Sequence, residues 1–275
     1  MTAATLTAFT ARPAGTLWQE LAGRERTLWA LGLVHLLAVP AALLAMQFDD
    51  RLLGEVSVWA KPLKFLVSIA LFALTLAWFV GYVAPQRRRS RPIRWMVGIV
   101  VATASFEMLY IAFQASRGEA SHFNVTTPIH AALYSAMGTA AMVLTAAPLL
   151  LAWEVWRNPR PALDAALRLS VIVGLVLTFV LGAGAGASIG SAMSPIVGAA
   201  ADMRTMPILG WALTVGDLRP AHFLGIHAMQ AIPALGAVVA GMAWGRATVV
   251  AGALAYAGLT LLVFVRALAG LPLLG

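Results

Sequence analysis

A few ionisable side chains stand within or beside stretches that are otherwise apolar, and these are the residues with chemistry to offer. Lys61 and Lys64 open one stretch, Glu107 lies deep in the next, and His130 begins a third. The densest segment runs from Gly216 through Asp217, Arg219, Pro220, His222 and His227 to Gln230. Imidazole and carboxylate are suitable ligands for iron, copper or zinc, so His130, His227 and Glu107 form a candidate metal set. For a non-covalent haem, His130 and His227 are the axial candidates, with Lys61, Arg117 and Arg219 available to the propionates. Glu107 and Lys64 are the candidate catalytic groups, with Glu107 in a metal-ligand or proton-transfer role. His122, His222, Tyr134, Gln230 and Asp217 complete the pocket and its rim.

Spacing decides which of these can face one another. Positions 61, 64, 68 and 75 share a helical face, as do 103, 107, 110 and 114 leading to Arg117. His222 and His227 are five apart, roughly 140° around a helix of about 3.6 residues per turn. They are therefore not the i, i+4 pair of a helical zinc motif. His227 and Gln230, at i and i+3, do share a face. An unpaired carboxylate at the depth of Glu107 costs roughly 2.5–3.5 kcal/mol. The similar depth of Lys64 therefore predicts an ion pair between the two. His130 is expected to turn into the bundle with Tyr134 on its face, and His122 and His222 to sit at the rim. Asp217 and Arg219 are expected as a surface pair that caps a helix or lines the entrance. His35 is expected to be a hydrogen-bonded packing histidine.

The elements that position these groups are membrane helices. The chain is 61% hydrophobic and 11% charged over 275 residues, well outside the usual soluble composition. Seven apolar spans can be drawn at 27–47, 58–83, 93–115, 129–154, 163–189, 221–244 and 247–270, each long enough to cross a hydrocarbon core of about 30 Å. Residues 1–26 read as a polar arm with an interfacial turn around Leu17, Trp18 and Leu21. Arg24 and Arg26 before an apolar run resemble a secretory signal, but Leu28–Met46 exceeds the usual length of about 7–15 residues. A retained first span is expected. The chain has no cysteine, which excludes disulfides, thiolate zinc sites, iron–sulfur clusters and covalent haem attachment.

The connection Arg87-Arg88-Arg89-Ser90-Arg91 is strongly basic, and the positive-inside rule assigns it to the cytoplasm. Arg12, Arg24, Arg26, Arg157, Arg160, Arg168 and Arg246 then fall on the same side. The expected N-terminus is cytoplasmic, the C-terminus extracytoplasmic, and the histidines collect at the outer face. Arginines clustered at span ends read as anchors, so the net charge of +8 does not indicate nucleic acid. Trp29, Trp59, Trp78, Trp95, Trp153 and Trp244 mark span edges. The small-residue run Gly182–Ser188 predicts close helix packing. The outer connection 190–220, with Pro195 and Pro207, is expected to hold one or two short helices.

Lys61-Pro62-Leu63-Lys64-Phe65, the segment from Arg117 to Asn124 and that from Gly216 to Gln230 resemble the motifs of a family of uncharacterised multi-pass bacterial membrane proteins. The resemblance covers nearly the whole membrane region. It implies a bacterial inner-membrane location and carries no residue roles. The leading expectation is an inner-membrane seven-helix bundle with an extracytoplasmic His/Glu/Lys pocket, performing metal- or haem-linked chemistry on a lipid-like or quinone-like molecule. A second reading is a proton-coupled or anion transporter using Lys61, Lys64 and Arg219. The absence of an internal repeat and a polar set confined to one half of the bilayer weigh against it. A third is a sensor or assembly factor with a purely structural polar network. A retinal protein is disfavoured because span seven holds no lysine.

Overall fold

The computed structural model describes residues 16–200, 202–206 and 209–273. A capping box at Thr16 starts the amphipathic helix α1 (Leu17–Arg24), and Glu25 caps the start of α2 (Arg26–Phe48). There follow α3 (Ala60–Val80), α4 (Arg91–Arg117), α5 (Pro128–Ala146), α6 (Pro148–Arg157), α7 (Ala165–Leu177), α8 (Gly184–Ser191), α9 (Arg219–Val238) and α10 (Gly245–Leu268). Pro148 divides the fourth span into α5 and α6, since proline lacks the N–H that a continuous helix needs. A π-helical turn, Thr178–Ala183, joins α7 to α8 within the fifth span. Among the described residues seven helical segments are long and apolar enough to cross a membrane. Their bounds lie within a few residues of those drawn from the sequence, except that the sixth ends at Val238 rather than 244. Arg12 lies outside the described residues.

Neighbours in sequence pack as neighbours in space, α2 on α3, α3 on α4, and α4 on both α5 and α6. The chain then continues α6 on α7, α7 with the π turn on α9, and α9 on α10. The two ends of the bundle differ in chemistry. At the end holding 81–90 and 158–164, arginines are used as fasteners. Glu154 is fully buried, and it accepts hydrogen bonds from Arg87 (2.8 Å), Ser90 (2.9 Å) and Asn158 (2.8 Å). Arg24 and Arg88 donate to Trp78 O (2.7 Å) and Gly81 O (2.9 Å). They thus satisfy carbonyls that the end of α3 leaves open. Asp164 caps α7 and also accepts the Gly241 N–H at 3.0 Å. These backbone donors hold its carboxyl below the usual carboxylate range.

At the opposite, histidine-bearing end, the 192–218 connection forms strands rather than the expected helices. β1 (Leu52–Leu53) and β2 (Val56–Ser57) make a small hairpin, and β3 (Ile196–Val197) pairs antiparallel with β4 (Gly216–Asp217). Between the latter two, Thr205 and Ala212 bridge, Leu213 N–H reaches Arg204 O and Met206 N–H reaches Trp211 O. These cross-strand bonds pair backbone groups of the connection in place of helical ones. Pro207 lies outside the described residues.

The small-residue run packs as its composition predicts. A Cβ placed on Gly225 of α9 would stand 2.5 Å from Gly182 N and 2.7 Å from its Cα. The helices therefore meet backbone to backbone. In the π turn the Gly182 carbonyl accepts from His222 Nδ1 at 2.8 Å, while Thr178 Oγ1 accepts the Met229 N–H at 2.9 Å. Gly225→Ala and Gly182→Ala are each expected to cost about 1–3 kcal/mol through overpacking. Gly138→Ala, where a Cβ meets nothing within 4 Å, should leave the thermal unfolding midpoint unchanged or raised.

Candidate functional site

Helices α3 and α9 run parallel, both starting at the histidine end, and they are not among the closely packed pairs. Their common register sets Lys64 level with Arg219 and Thr75 level with Gln230. At the top, Lys64 Nζ donates to Leu209 O at 3.0 Å, and Arg219 donates to the next carbonyl, Gly210 O, at 2.6 Å. The tip of the 204–213 hairpin is thus held over the seam by both cations. Arg219 is also paired with Asp217 at 2.6 Å. Asp217 is buried rather than at the surface, and it accepts the N–H groups of Ala212 and Arg219.

Halfway down, a hydrogen-bond chain crosses the seam. The Thr75 hydroxyl donates to Leu71 O at 2.7 Å and accepts from Gln230 Nε2 at 3.1 Å. Gln230 Oε1 is then free to accept from His227 Nδ1 at 3.2 Å. That direction assigns the proton to Nδ1 and leaves Nε2 as the acceptor of the ring. Below this bridge lies an apolar groove of about 440 Å³. Leu74, Trp78, Tyr82, Ala234 and Ala237 line it, and α1 covers it with Leu17, Trp18 and Leu21. Between top and bridge, Ser68, Leu71 and Phe223 are exposed along the facing strips.

The structure redistributes the predicted roles. Lys64 is not paired with Glu107. Its partner is a backbone carbonyl contributed by a loop far away in sequence. Among the described residues Glu107 has no ion pair, and its Oε1 is buried without a hydrogen-bond partner, as is the Tyr110 hydroxyl one turn on. His130 stays at the rim, its Nε2 3.2 Å from Glu119 and its Nδ1 3.1 Å from the hydroxyls of Thr126 and Thr127. Arg117 pairs with the same carboxylate at 3.0 Å, and it holds the Glu119 carboxyl below the usual range. Thr127 also caps α5 through the His130 N–H, so the backbone and the ring of His130 are both held at the start of that helix. The two histidines expected at the rim are inside: His222 bonds into the π turn, and His122 packs 5.9 Å from the Phe65 ring and 6.4 Å from that of Tyr134. His35 is as expected, its Nδ1 2.8 Å from Leu31 O.

The candidate metal set therefore does not assemble. Among the described residues no group of three or more His, Asp or Glu stands close enough to hold a metal ion. Glu107, His130 and His227 each face a different surrounding. What the structure does gather is charge. Lys61, half-buried, and Lys64 have no carboxylate partner among the described residues, and Arg219 has one, Asp217. His122 adds no charge, because burial and the Lys61 ammonium hold its imidazole down at about 3. Sequence reading missed the hairpin tip and Phe223 as seam residues. It also missed Asp49, which accepts from Trp59 Nε1 (2.7 Å) and Arg51 (2.8 Å) and ties the first outer connection to α3. The Asp-Asp-Arg run was the available signal. No protein-family model, curated protein or solved structure matches the chain.

Two outcomes follow from these surroundings. In the unfolded chain His122 binds a proton near 6.5, whereas in the fold it does so only at about 3. The unfolded state thus holds more protons between those values, and the stability owed to a neutral His122 is complete above the upper value and lost on acidification. Stability against chemical denaturation should fall on acidification across that window with a slope approaching about 1.4 kcal/mol per pH unit, and His122→Phe should flatten it. For Glu107, which has no ionic partner to lose, Glu107→Gln should not lower the melting temperature. Glu107→Ala, which opens a cavity, should lower it.

Proposed function

We propose that this multi-pass membrane protein binds an anionic ligand at its histidine end, in the upper seam between α3 and α9. The observation that carries the reading is the charge balance there: among the described residues, Asp217 is the one carboxylate paired with any of Lys61, Lys64 and Arg219. Lys64 keeps donors beyond its one bond to Leu209 O, and those of Lys61 are all free of carboxylates. Low surrounding polarity strengthens each cation's hold on an anion relative to water. The ring of neutral His122, Phe65 and Tyr134 supplies a wall that does not compete for that anion.

The basic connection 81–91 supports assigning the arginine end to the cytoplasm, which places the anion site on the extracytoplasmic face of a bacterial inner membrane. The motif resemblance supports that location. Metal- or haem-centred chemistry is the weaker reading, because among the described residues its proposed ligands do not come together. Conduction through the bilayer is also weaker, because polar lining stops at the Thr75–Gln230 bridge and the groove below is apolar.

Thermal stability of the purified protein in neutral detergent, with and without dodecyl phosphate and inorganic phosphate, tests the reading. At least one of the two should raise the melting temperature in a concentration-dependent way. A hydrogen bond to a charged group contributes about 1.5–3 kcal/mol, so Lys61→Gln and Lys64→Gln should each weaken binding roughly tenfold to a hundredfold. Equal stabilisation of wild type and the double variant would remove the proposal.

A further inference from the structure

The seam also indicates what kind of anion it takes. From Lys64 to Thr75 is eleven residues of one helix, about 16 Å at 1.5 Å per residue, the depth of one leaflet of a core roughly 30 Å thick. The strips facing this depth are open to the side, with Leu71 41% and Phe223 43% exposed and Ser68 between Lys64 and Leu71 on the same face. Parallel helices bridged at the top by a loop and at the middle by one hydrogen bond leave a lateral slot between those points. Its upper end is cationic and its walls are mostly apolar. A free phosphate would use the upper end and leave the walls bare.

We propose that the occupant is an anionic amphiphile of the bilayer, a single phosphate-bearing lipid that enters sideways between α3 and α9. Its phosphate rests on Lys61 and Lys64. One acyl chain lies along Ser68, Leu71 and Phe223, and its tip reaches the Thr75–Gln230 bridge. This rests on the anion-binding reading above and adds the ligand class. The hairpin tip at 209–210 covers the headgroup, and Lys64 exchanges part of its hydrogen bonding from Leu209 O to the phosphate. The bridge closes the slot at the bilayer middle, so the chain is held within one leaflet and does not reach the groove below.

The full-length protein in nanodiscs of phosphatidylcholine with a few per cent phosphatidylglycerol, released into native mass spectrometry, provides the test, with glycerol phosphate as the soluble competitor. Retention of one phosphatidylglycerol is expected, with about tenfold less in Lys64→Gln and no displacement by glycerol phosphate. Ser68→Phe and, separately, Leu71→Trp fill the slot without touching a cation. Both sites are exposed, so neither substitution disturbs the core, and each should abolish retention while leaving the melting temperature unchanged. If glycerol phosphate or inorganic phosphate binds as well as the lipid, and both slot-filling variants bind normally, the lipid assignment falls while the anion site stands. If neither the lipid nor any soluble phosphate binds, both fail. Retention that is equal for phosphatidylcholine alone overturns the proposal as an annular lipid without headgroup recognition.

Discussion

The contact on which the arrangement depends is Gly182 against Gly225. It brings two backbones within a distance that no side chain permits, and it does so where a π turn has already displaced the register of the fifth span. In a bilayer, where lipid tails are as apolar as any side chain, close approach of this kind is a main source of helix association. It draws α9 onto the α7–α8 span. The Gly182 carbonyl also accepts from His222. One irregularity therefore positions α9, occupies one of its two histidines, and turns the other toward α3. With α9 so placed, its partner across the seam is reached through Gln230 and Arg219 rather than by helix packing.

The two ends of the bundle show what the chain spends on structure and what it leaves for other use. At the arginine end the buried carboxylate of Glu154 has three donors, and Arg24 and Arg88 cap the last turn of α3. Such groups in a low-dielectric setting must be satisfied or they penalise the fold, and here they are. At the histidine end the accounting is open among the described residues: Lys61 lacks a carboxylate, and the Glu107 Oε1 and Tyr110 hydroxyl lack partners. The contrast matters for orientation too. Several arginines that the positive-inside rule counts as anchors are also structural fasteners, so their placement has two causes acting in the same direction.

The spans were legible because their signal is length and apolarity, which need no knowledge of neighbours. The faces were legible as well: the strip 61, 64, 68 and 75 and the pair 227 and 230 both line the seam. Partnership was not. Lys64 finds a carbonyl at the tip of a hairpin whose residues carry no helical or charge pattern, and nothing local in the sequence ties position 64 to position 209. His130 illustrates the same limit at shorter range. Its ring is held by Glu119, Thr126 and Thr127 at the start of α5, whereas a face count alone turns it inward. His122 reversed in the other direction, since a loop histidine is exposed only if no aromatic wall closes over it, and Phe65 and Tyr134 do.

The bridge across the seam explains why the polar site ends where it does. Thr75 has one hydroxyl proton, which goes to Leu71 O, so it can only accept from Gln230. Gln230 must then present its amide nitrogen to α3 and its oxygen to His227. Each assignment forces the next, and the last leaves a lone pair on His227 Nε2 above the bridge. Polar capacity is thus consumed below and left available above. The same chain of bonds that joins α3 to α9 also leaves the unused polar groups in the upper half of the seam.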